Sequence, residues 1–275
     1  MRLLATDLDG TIFTRDGGFR QEDIDALHML GRRRIVRVIA TGRTFNSAKE
    51  IIPSDFPIDY LVFSSGAGVF DWKSKQILQV KHLGVEKSKE IIPILNDEKV
   101  NFTLHWPIPE NHCFYYSETE RIHDDFSRYL SHYEQYAFSI KDNLPQKNYT
   151  QVLAFLPDIS TYESLTDRIE NIKTVRATSP IDGQSIWMEF FHKGVSKAEG
   201  LKFVCELEKV DDSDVVVLGN DFNDLDMHEA YEATYVVSES PEELRNRFSV
   251  VASAYEGALK DVVARILINK NQAIG

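Results

Sequence analysis

Only two cysteines occur in 275 residues, Cys113 and Cys205. They are too few for a disulfide framework and share no metal-ligand spacing. Both are expected as buried packing groups, the usual state of an unpaired thiol. Long apolar runs are missing too. No stretch approaches the roughly 20 consecutive apolar residues that a membrane-crossing helix needs. The opening run Leu3-Leu4-Ala5-Thr6-Asp7 after Arg2 is too short for a signal peptide. A cytoplasmic location with no membrane partner is the resulting expectation. Positive charge is scarce: 31 Lys and Arg against 43 Asp and Glu leave a formal net charge of -12. Broad attraction to nucleic acid or anionic lipid is thereby disfavoured. The one dense basic cluster, Arg32-Arg33-Arg34 with Arg37, sits where a helix from Gln21 to about Arg33 should end, and cations there meet the helix dipole favourably. An acidic chain that binds an anion must supply local positive charge or a metal.

What is present is an ordinary globular composition, 43% hydrophobic and 27% charged, long enough for one large domain or two modest ones. The first third alternates strands (Leu3 to Thr6, Ile35 to Ala40, Tyr60 to Phe63) with helical patterns. The last third repeats the rhythm: a helix from Ser196 to about Glu208, then the apolar run Val215-Val216-Val217-Leu218, typical of a strand buried on both faces. A helix from about Asn223, a strand at Tyr235-Val236-Val237, a helix opened by Ser240-Pro241, a short strand at Val250-Val251 and a final helix come after it. Such alternation predicts an α/β fold, a Rossmann-like doubly wound parallel sheet. The middle differs. Helices at Val85 to Asp97, Glu120 to Tyr133 and Thr161 to Asn171 lie among aromatic-rich strands, which predicts an inserted α+β unit. The core is expected at 1–82 and 188–275, the insert at 83–187, with a polar loop at 141–148 inside it.

Four segments carry chemistry. Asp7-Leu8-Asp9-Gly10-Thr11 directly follows the first strand, and open α/β sheets bind ligands beyond the carboxyl ends of their strands. Two carboxylates in one crevice repel unless a cation joins them, and Mg²⁺ with oxygen ligands is the natural partner; the alternative is a strand-ending turn with solvated Asp residues. Thr41-Gly42-Arg43 follows the second strand, where a hydroxyl and backbone N–H groups before a helix can cradle an anion. A helix N-cap explains it as well, and Thr44 is also available for that task. In Gly194-Val195-Ser196-Lys197, Ser196 reads as an N-cap with Glu199 completing a capping box. Lys197 stands at the unfavourable end of the helix dipole, which suggests that it faces an anion; a solvated Lys is the alternative. Gly219-Asn220-Asp221-Phe222-Asn223-Asp224 follows the buried strand as a polar strand-to-helix loop.

In this order and at these strand ends, the four segments resemble those of the haloacid dehalogenase-like phosphatases. The insert between the second and third segments resembles the Cof-like subgroup with its larger, IIB-type cap. The resemblance implies a Mg²⁺-dependent hydrolase of small phosphorylated metabolites, sugar phosphates foremost, acting as a monomer or homodimer. It makes Asp7 the nucleophile, Asp9 the general acid and base, and Lys197 the cation neutralising nucleophile and phosphate, with Lys193 as runner-up. Thr41, Gly42 and Asn223 would hold the phosphoryl group. Asp7, Asp9, Asn220 and Asp224 would form the metal site. Asn220 replaces the family's Asp, which weakens attraction for a cation, and Asp221 next to it could compensate. Ser65, in Ser64-Ser65-Gly66-Ala67, replaces the subgroup's Asn. His105 and Trp106 are candidate sugar-facing groups of the cap, with His112, Tyr115 and Tyr116 behind them; Trp106, followed by Pro107, reads just as easily as a packed strand terminus. A phosphomutase or phosphotransferase with the same nucleophile, and a catalytically silent metabolite-binding protein, stay open as alternatives.

Overall fold

The computed structural model describes residues 1–117, 119, 122–140, 147–179 and 181–272. The chain divides into two compact units: Met1–Gly42 with Ile52–Leu78 and Ser196–Gly275, and Arg43–Ile51 with Gln79–Val195.

The first unit is built on an eight-stranded sheet. Its strands run in the order Ser249–Val250, Ala233–Val236, Val215–Gly219, Leu3–Thr6, Val36–Ala40, Tyr60–Phe63, Gly68–Asp71 and Gln76–Val80. From Ser249–Val250 to Tyr60–Phe63 neighbouring strands pair in parallel. Every residue of Leu3–Thr6 and Val215–Gly219 is buried, as continuous apolar strands covered by helices on both faces must be. Leu3, Ala5, Val38, Val62, Val215 and Val217 pack on Leu201, Val204 and Met227 of the overlying helices. Beyond Tyr60–Phe63 the pairing turns antiparallel with Gly68–Asp71, so the expected parallel sheet carries an antiparallel edge. The outermost strand is exposed on one face and half-buried on the other, and neither helical crossover nor long apolar run announces the edge strands. A two-residue hairpin, Phe13–Thr14 with Gly18–Phe19, also lies beyond the reach of periodicity.

Helix Gln21–Arg32 buries Ala26, Leu27 and Leu30, and also Asp23. The Asp23 carboxylate accepts the backbone N–H of Lys260 at 2.9 Å, so one helix supplies a capping acceptor to the first turn of another, Ala258–Gln272. Such an acceptor satisfies donors that the helix itself leaves open.

The chain enters this sheet at its centre. Leu3–Thr6 lies between Val36–Ala40, the next core strand in sequence, and Val215–Gly219, reached only after the insert. Chain direction across the sheet therefore reverses beside Leu3–Thr6, and the crevice at such a switch point is where open α/β sheets bind ligands.

The second unit carries a six-stranded sheet in the order Ala137–Ser139, Phe114–Ser117, Asn101–His105, Val152–Leu156, Ile186–His192 and Ile172–Thr178. All neighbours are antiparallel except Ala137–Ser139 against Phe114–Ser117. One face packs as Ile91, Leu95, Phe102, Leu104, Leu165 and Met188, and the other as Phe114, Phe126, Tyr129, Phe155 and Trp187. Its α-helices among the described residues are Phe45–Ile51, Val85–Asp97, Asp124–His132 and Ile159–Arg168. The expected loop at 141–148 falls mostly outside the described residues, as does the expected helix start at Glu120. Among the described residues no helix is long and apolar enough to cross a membrane.

Candidate active site

Asp7 ends the central strand and is 4% exposed. Its backbone N–H donates to Leu218 across the sheet at 2.8 Å, which fixes the carboxylate at the switch point. Thr11 Oγ1 donates to Asp7 Oδ2 at 3.1 Å, and Lys197 Nζ donates to Oδ1 at 2.6 Å. Lys197 comes from the first turn of helix Lys197–Glu208, where Ser196 is the N-cap and accepts the N–H of Glu199 at 3.0 Å. Lys197 is 1% exposed, and its ammonium donates equally to Asp224 Oδ1, at 2.6 Å. One buried cation therefore serves two buried carboxylates.

Electrostatics follow from that count. Burial pushes the Asp7 carboxyl up to about 7, although the Lys197 ammonium pulls it down, with Asp224 and Asp9 adding to the rise. Burial alone would lower Lys197, but Asp224 and Asp7 together hold it above its usual value. Lys197 stays charged, and the excess negative charge presses on Asp7. A second cation would relieve it.

Asp224, expected as a metal ligand, is turned elsewhere. Its Oδ1 is on Lys197, and its Oδ2 accepts the N–H groups of Asn220 at 2.8 Å and Asp221 at 3.2 Å. Both carboxylate oxygens are thus engaged, in shaping the loop and holding the lysine. Gly219 gives this arrangement room: a Cβ there would lie 2.6 Å from Asp224 Oδ2. Asn220 lies over Gly10, where a Cβ would meet its Nδ2 at 2.5 Å. The Asn220 amide is therefore beside the Asp7–Asp9 turn, the place its spacing predicts. Asp9 is half-buried at that turn.

Among the described residues no three His, Cys, Asp or Glu side chains form a cluster able to hold a metal ion. Beside the turn stand the carboxylates of Asp7, which also accepts from Lys197 and Thr11, and of Asp9, together with the side-chain amide of Asn220, whose oxygen would complete an all-oxygen set. That all-oxygen set fits a hard cation such as Mg²⁺, which keeps several waters and takes only one or two protein carboxylates.

Thr41 is buried, and its carbonyl accepts the N–H of Ser65 at 3.0 Å. It is not the cap of the following helix: Thr44 Oγ1 accepts the N–H of Ser47 at 3.3 Å and fills that role. Asn223 Oδ1 faces Lys197 Nζ at 3.5 Å, and its Nδ2 lies 3.7 Å from where a Cβ of Gly42 would stand. Lys197 thus links Asp7, Asp224 and Asn223, and Gly42 lies near the Asn223 amide.

Residues 4–265 match the family model of haloacid dehalogenase-like hydrolases. The chain belongs to that family. The Bacillus subtilis protein YxeH, which carries a provisional phosphatase name, is 22% identical over 240 residues, 83% of this chain and 84% of its own. An HMP-PP phosphatase of Serratia proteamaculans is 33% identical over 91 residues, 33% of each chain. Among solved structures, the phosphatase BT1666 of Bacteroides thetaiotaomicron superposes with a TM-score of 0.80 at 18% identity, over 96% of this chain and 94% of that one. The subclass IIB sugar phosphatase BT4131 gives 0.79 at 16%, over 98% and 100%. These neighbours share the fold, an α/β core with a cap.

Several expected residues stand elsewhere. Lys193 is exposed and lines a cavity of about 430 Å³ in the second unit with Leu83, Gly84, Lys87, Asn171 and His192. His105 is 2% exposed. Its Nδ1 is 2.8 Å from the Asn111 carbonyl and its Nε2 3.1 Å from Thr103 Oγ1, and burial lowers its pKa to about 4. It is a satisfied core histidine, not a sugar-facing group. Trp106 is half-buried and stacks on Phe138, with the Lys147 ammonium 3.6 Å over its ring. His112, Tyr115 and Tyr116 are half-buried as well. Cys205 is buried as expected, whereas Cys113 is partly exposed. Sequence reading did not anticipate the part of Thr11 in holding Asp7; its place four residues on, after a glycine turn, was the available signal.

Proposed function

We propose that this chain is a phosphatase that hydrolyses phosphomonoesters of small metabolites, sugar phosphates foremost, through an aspartyl-phosphate on Asp7. The observation that carries the reading is the buried Asp7–Lys197–Asp224 arrangement at the switch point of the sheet. A strand-ending turn in solvent has no reason to bury a lysine between two carboxylates, since each desolvated charge is costly unless paired. Lys197 meets Asp7 on one side and, through Asn223, approaches the Gly42 backbone on the other. A substrate phosphate bound there lies beside both the nucleophile and the cation.

In the first displacement a carboxylate oxygen of Asp7 forms a bond to phosphorus as the bond to the leaving oxygen breaks. Asp9, protonated, gives its proton to that oxygen and releases the alcohol. In the second, Asp9 takes a proton from water, whose oxygen attacks phosphorus; inorganic phosphate departs and the Asp7 carboxylate returns. General acid and base work of this kind contributes roughly 10²–10⁴-fold, and the covalent intermediate divides one hard step into two easier ones. Lys197 and the donors of Asn223 and Thr41 hold the phosphoryl oxygens throughout. Mg²⁺, held by Asp7, Asp9 and the Asn220 amide, would neutralise phosphate charge when bound.

The test is phosphate release from a panel of sugar phosphates and one aryl phosphate, with Mg²⁺ and with chelator, for the wild type and Asp7→Asn. Metal-dependent release that Asp7→Asn abolishes is expected. Release by a folded Asp7→Asn variant would refute the nucleophile. An isomerised sugar phosphate instead of free phosphate would make the chain a mutase, and Mg²⁺ binding without turnover would make it a binding protein.

A further inference from the structure

We infer that the cavity of the second unit lined by Lys87, His192 and Lys193 is a binding site for a phosphorylated metabolite. The site shares no residue with the catalytic set and does not depend on the phosphatase reading.

Charge supplies the first observation. The cavity is lined by Leu83, Gly84, Lys87, Asn171, His192 and Lys193. Two of these carry ammonium groups and none a carboxylate, in a chain where 43 acidic residues outnumber 31 basic ones. Lys87 is held by Glu90, one turn further along its own helix, at 2.6 Å, so its charge is partly met. Lys193 is exposed and has no carboxylate partner among the described residues. An anion in the cavity meets both ammoniums and no lining carboxylate, and hydrogen bonds between ionised partners are the strong ones.

The turn that carries Lys193 supplies the second. His192 Nδ1 accepts the N–H of Gly194 at 3.1 Å. In the neutral ring the proton is then on Nε2, which becomes a donor. The Gly194 carbonyl accepts from Lys81 Nζ at 2.7 Å. The turn is therefore fixed through both its N–H and its C=O, so its donors are positioned before any ligand arrives, which lowers the ordering cost of binding. Asn171 adds an amide N–H₂ to the lining.

Volume decides the class of anion. The cavity measures about 430 Å³, many times the roughly 30 Å³ that one water takes up in the liquid, and it falls in the range of small-molecule pockets. A bare oxyanion would leave most of it to water. Leu83 offers an apolar side, and a Cβ at Gly84 would meet nothing within 4 Å beyond its chain neighbours, so an organic body has room. Two ammoniums match the charge of roughly −1.5 to −2 that a phosphoryl group carries at pH 7.

The test is titration with phenylphosphonate, an organic phosphonate whose carbon–phosphorus bond is not a phosphoester, followed by the ring-proton NMR signals of His192, assigned with His192→Gln. The wild type should show a saturable shift of these signals. Lys87→Gln with Lys193→Gln changes two side chains that reach solvent, so the variant should fold. It should bind about tenfold or more weakly, the loss of hydrogen bonds to a charged group. Inorganic phosphate should bind the wild type several-fold more weakly than phenylphosphonate. His192 signals that stay still, or that saturate alike in the double variant, would overturn the site. Inorganic phosphate binding as tightly as phenylphosphonate would overturn the organic body. If the wild type releases no phosphate from any ester, the phosphatase reading fails while the His192 titration still decides on this site.

Discussion

Replacing Asp224 by Asn leaves the shape of the site and removes one charge. Lys197 then keeps Asp7 as its only carboxylate, and an amide N–H₂ can turn against its ammonium. Breaking a buried ion pair from one side costs about 3–5 kcal/mol. Lys197 retains one partner, and the new amide oxygen can still accept the N–H groups of Asn220 and Asp221. The lower end therefore applies, about 3 kcal/mol. For a chain of this size that lowers the melting temperature by roughly 6–12 °C. Calorimetry measures this directly, and a Mg²⁺ titration of activity runs alongside. Turnover should drop, since a small misplacement of a positioned group can cost about 10²-fold. The Mg²⁺ concentration for half-maximal rate should stay within about threefold, because both oxygens of Asp224 are engaged by protein donors. A variant that melts like the wild type but needs tenfold more Mg²⁺ would refute this and return Asp224 to the metal shell.

Asn220→Asp should tighten Mg²⁺ binding by exchanging an amide oxygen for a carboxylate; unchanged binding by calorimetric titration would remove residue 220 from the donor set. Gly66→Ala should fail to fold or lose several kcal/mol in denaturant melts, because its φ of 99° is strained for any side chain and its Cβ meets the Ser196 carbonyl. Burial raises Asp23 to about 6 from 3.8, so the folded chain holds that proton more tightly than the unfolded one. Its contribution to stability is full below pH 4 and is lost as pH rises through 6, about 3 kcal/mol in all. Asp23→Asn should therefore gain on the wild type at pH 7.5 and lose that advantage by pH 4; a stability difference independent of pH would refute the shift.

Three chemistry-bearing segments were legible because each comes directly after a core strand, and parallel strands deliver the residues beyond their carboxyl ends to one edge of the sheet. Asp7, Thr41 and the loop 219–224 needed nothing more, whereas Lys197, which comes after the antiparallel strand Ile186–His192, was marked by its place in the first turn of a helix. The direction in which a carboxylate points is a tertiary matter, so the engagement of Asp224 by Lys197 and two amides had no sequence signal. His105 misled for a related reason. Asn101, Thr103 and His105 alternate with Phe102 and Leu104 in the manner of a strand with one wet face. That polar face is instead buried among aromatic residues, with Tyr129 of helix Asp124–His132 3.4 Å from His105 Nε2. The antiparallel edge was not legible for two reasons: Gly68–Asp71 follows Tyr60–Phe63 with no helix between them, and Gln76–Val80 is exposed and carries no apolar run.

The central position of Leu3–Thr6 also sets an order of events during synthesis. Its partner on one side, Val36–Ala40, is made almost at once, but Val215–Gly219 on the other is among the later strands to leave the ribosome. At about 5–20 residues per second, the apolar strand that ends in Asp7 waits roughly 10–40 s with one edge open. An open apolar edge is a template for pairing with another chain. Chaperone demand should therefore fall on the nascent chain before residue 215, and truncations ending between the insert and that strand should aggregate where the whole chain does not.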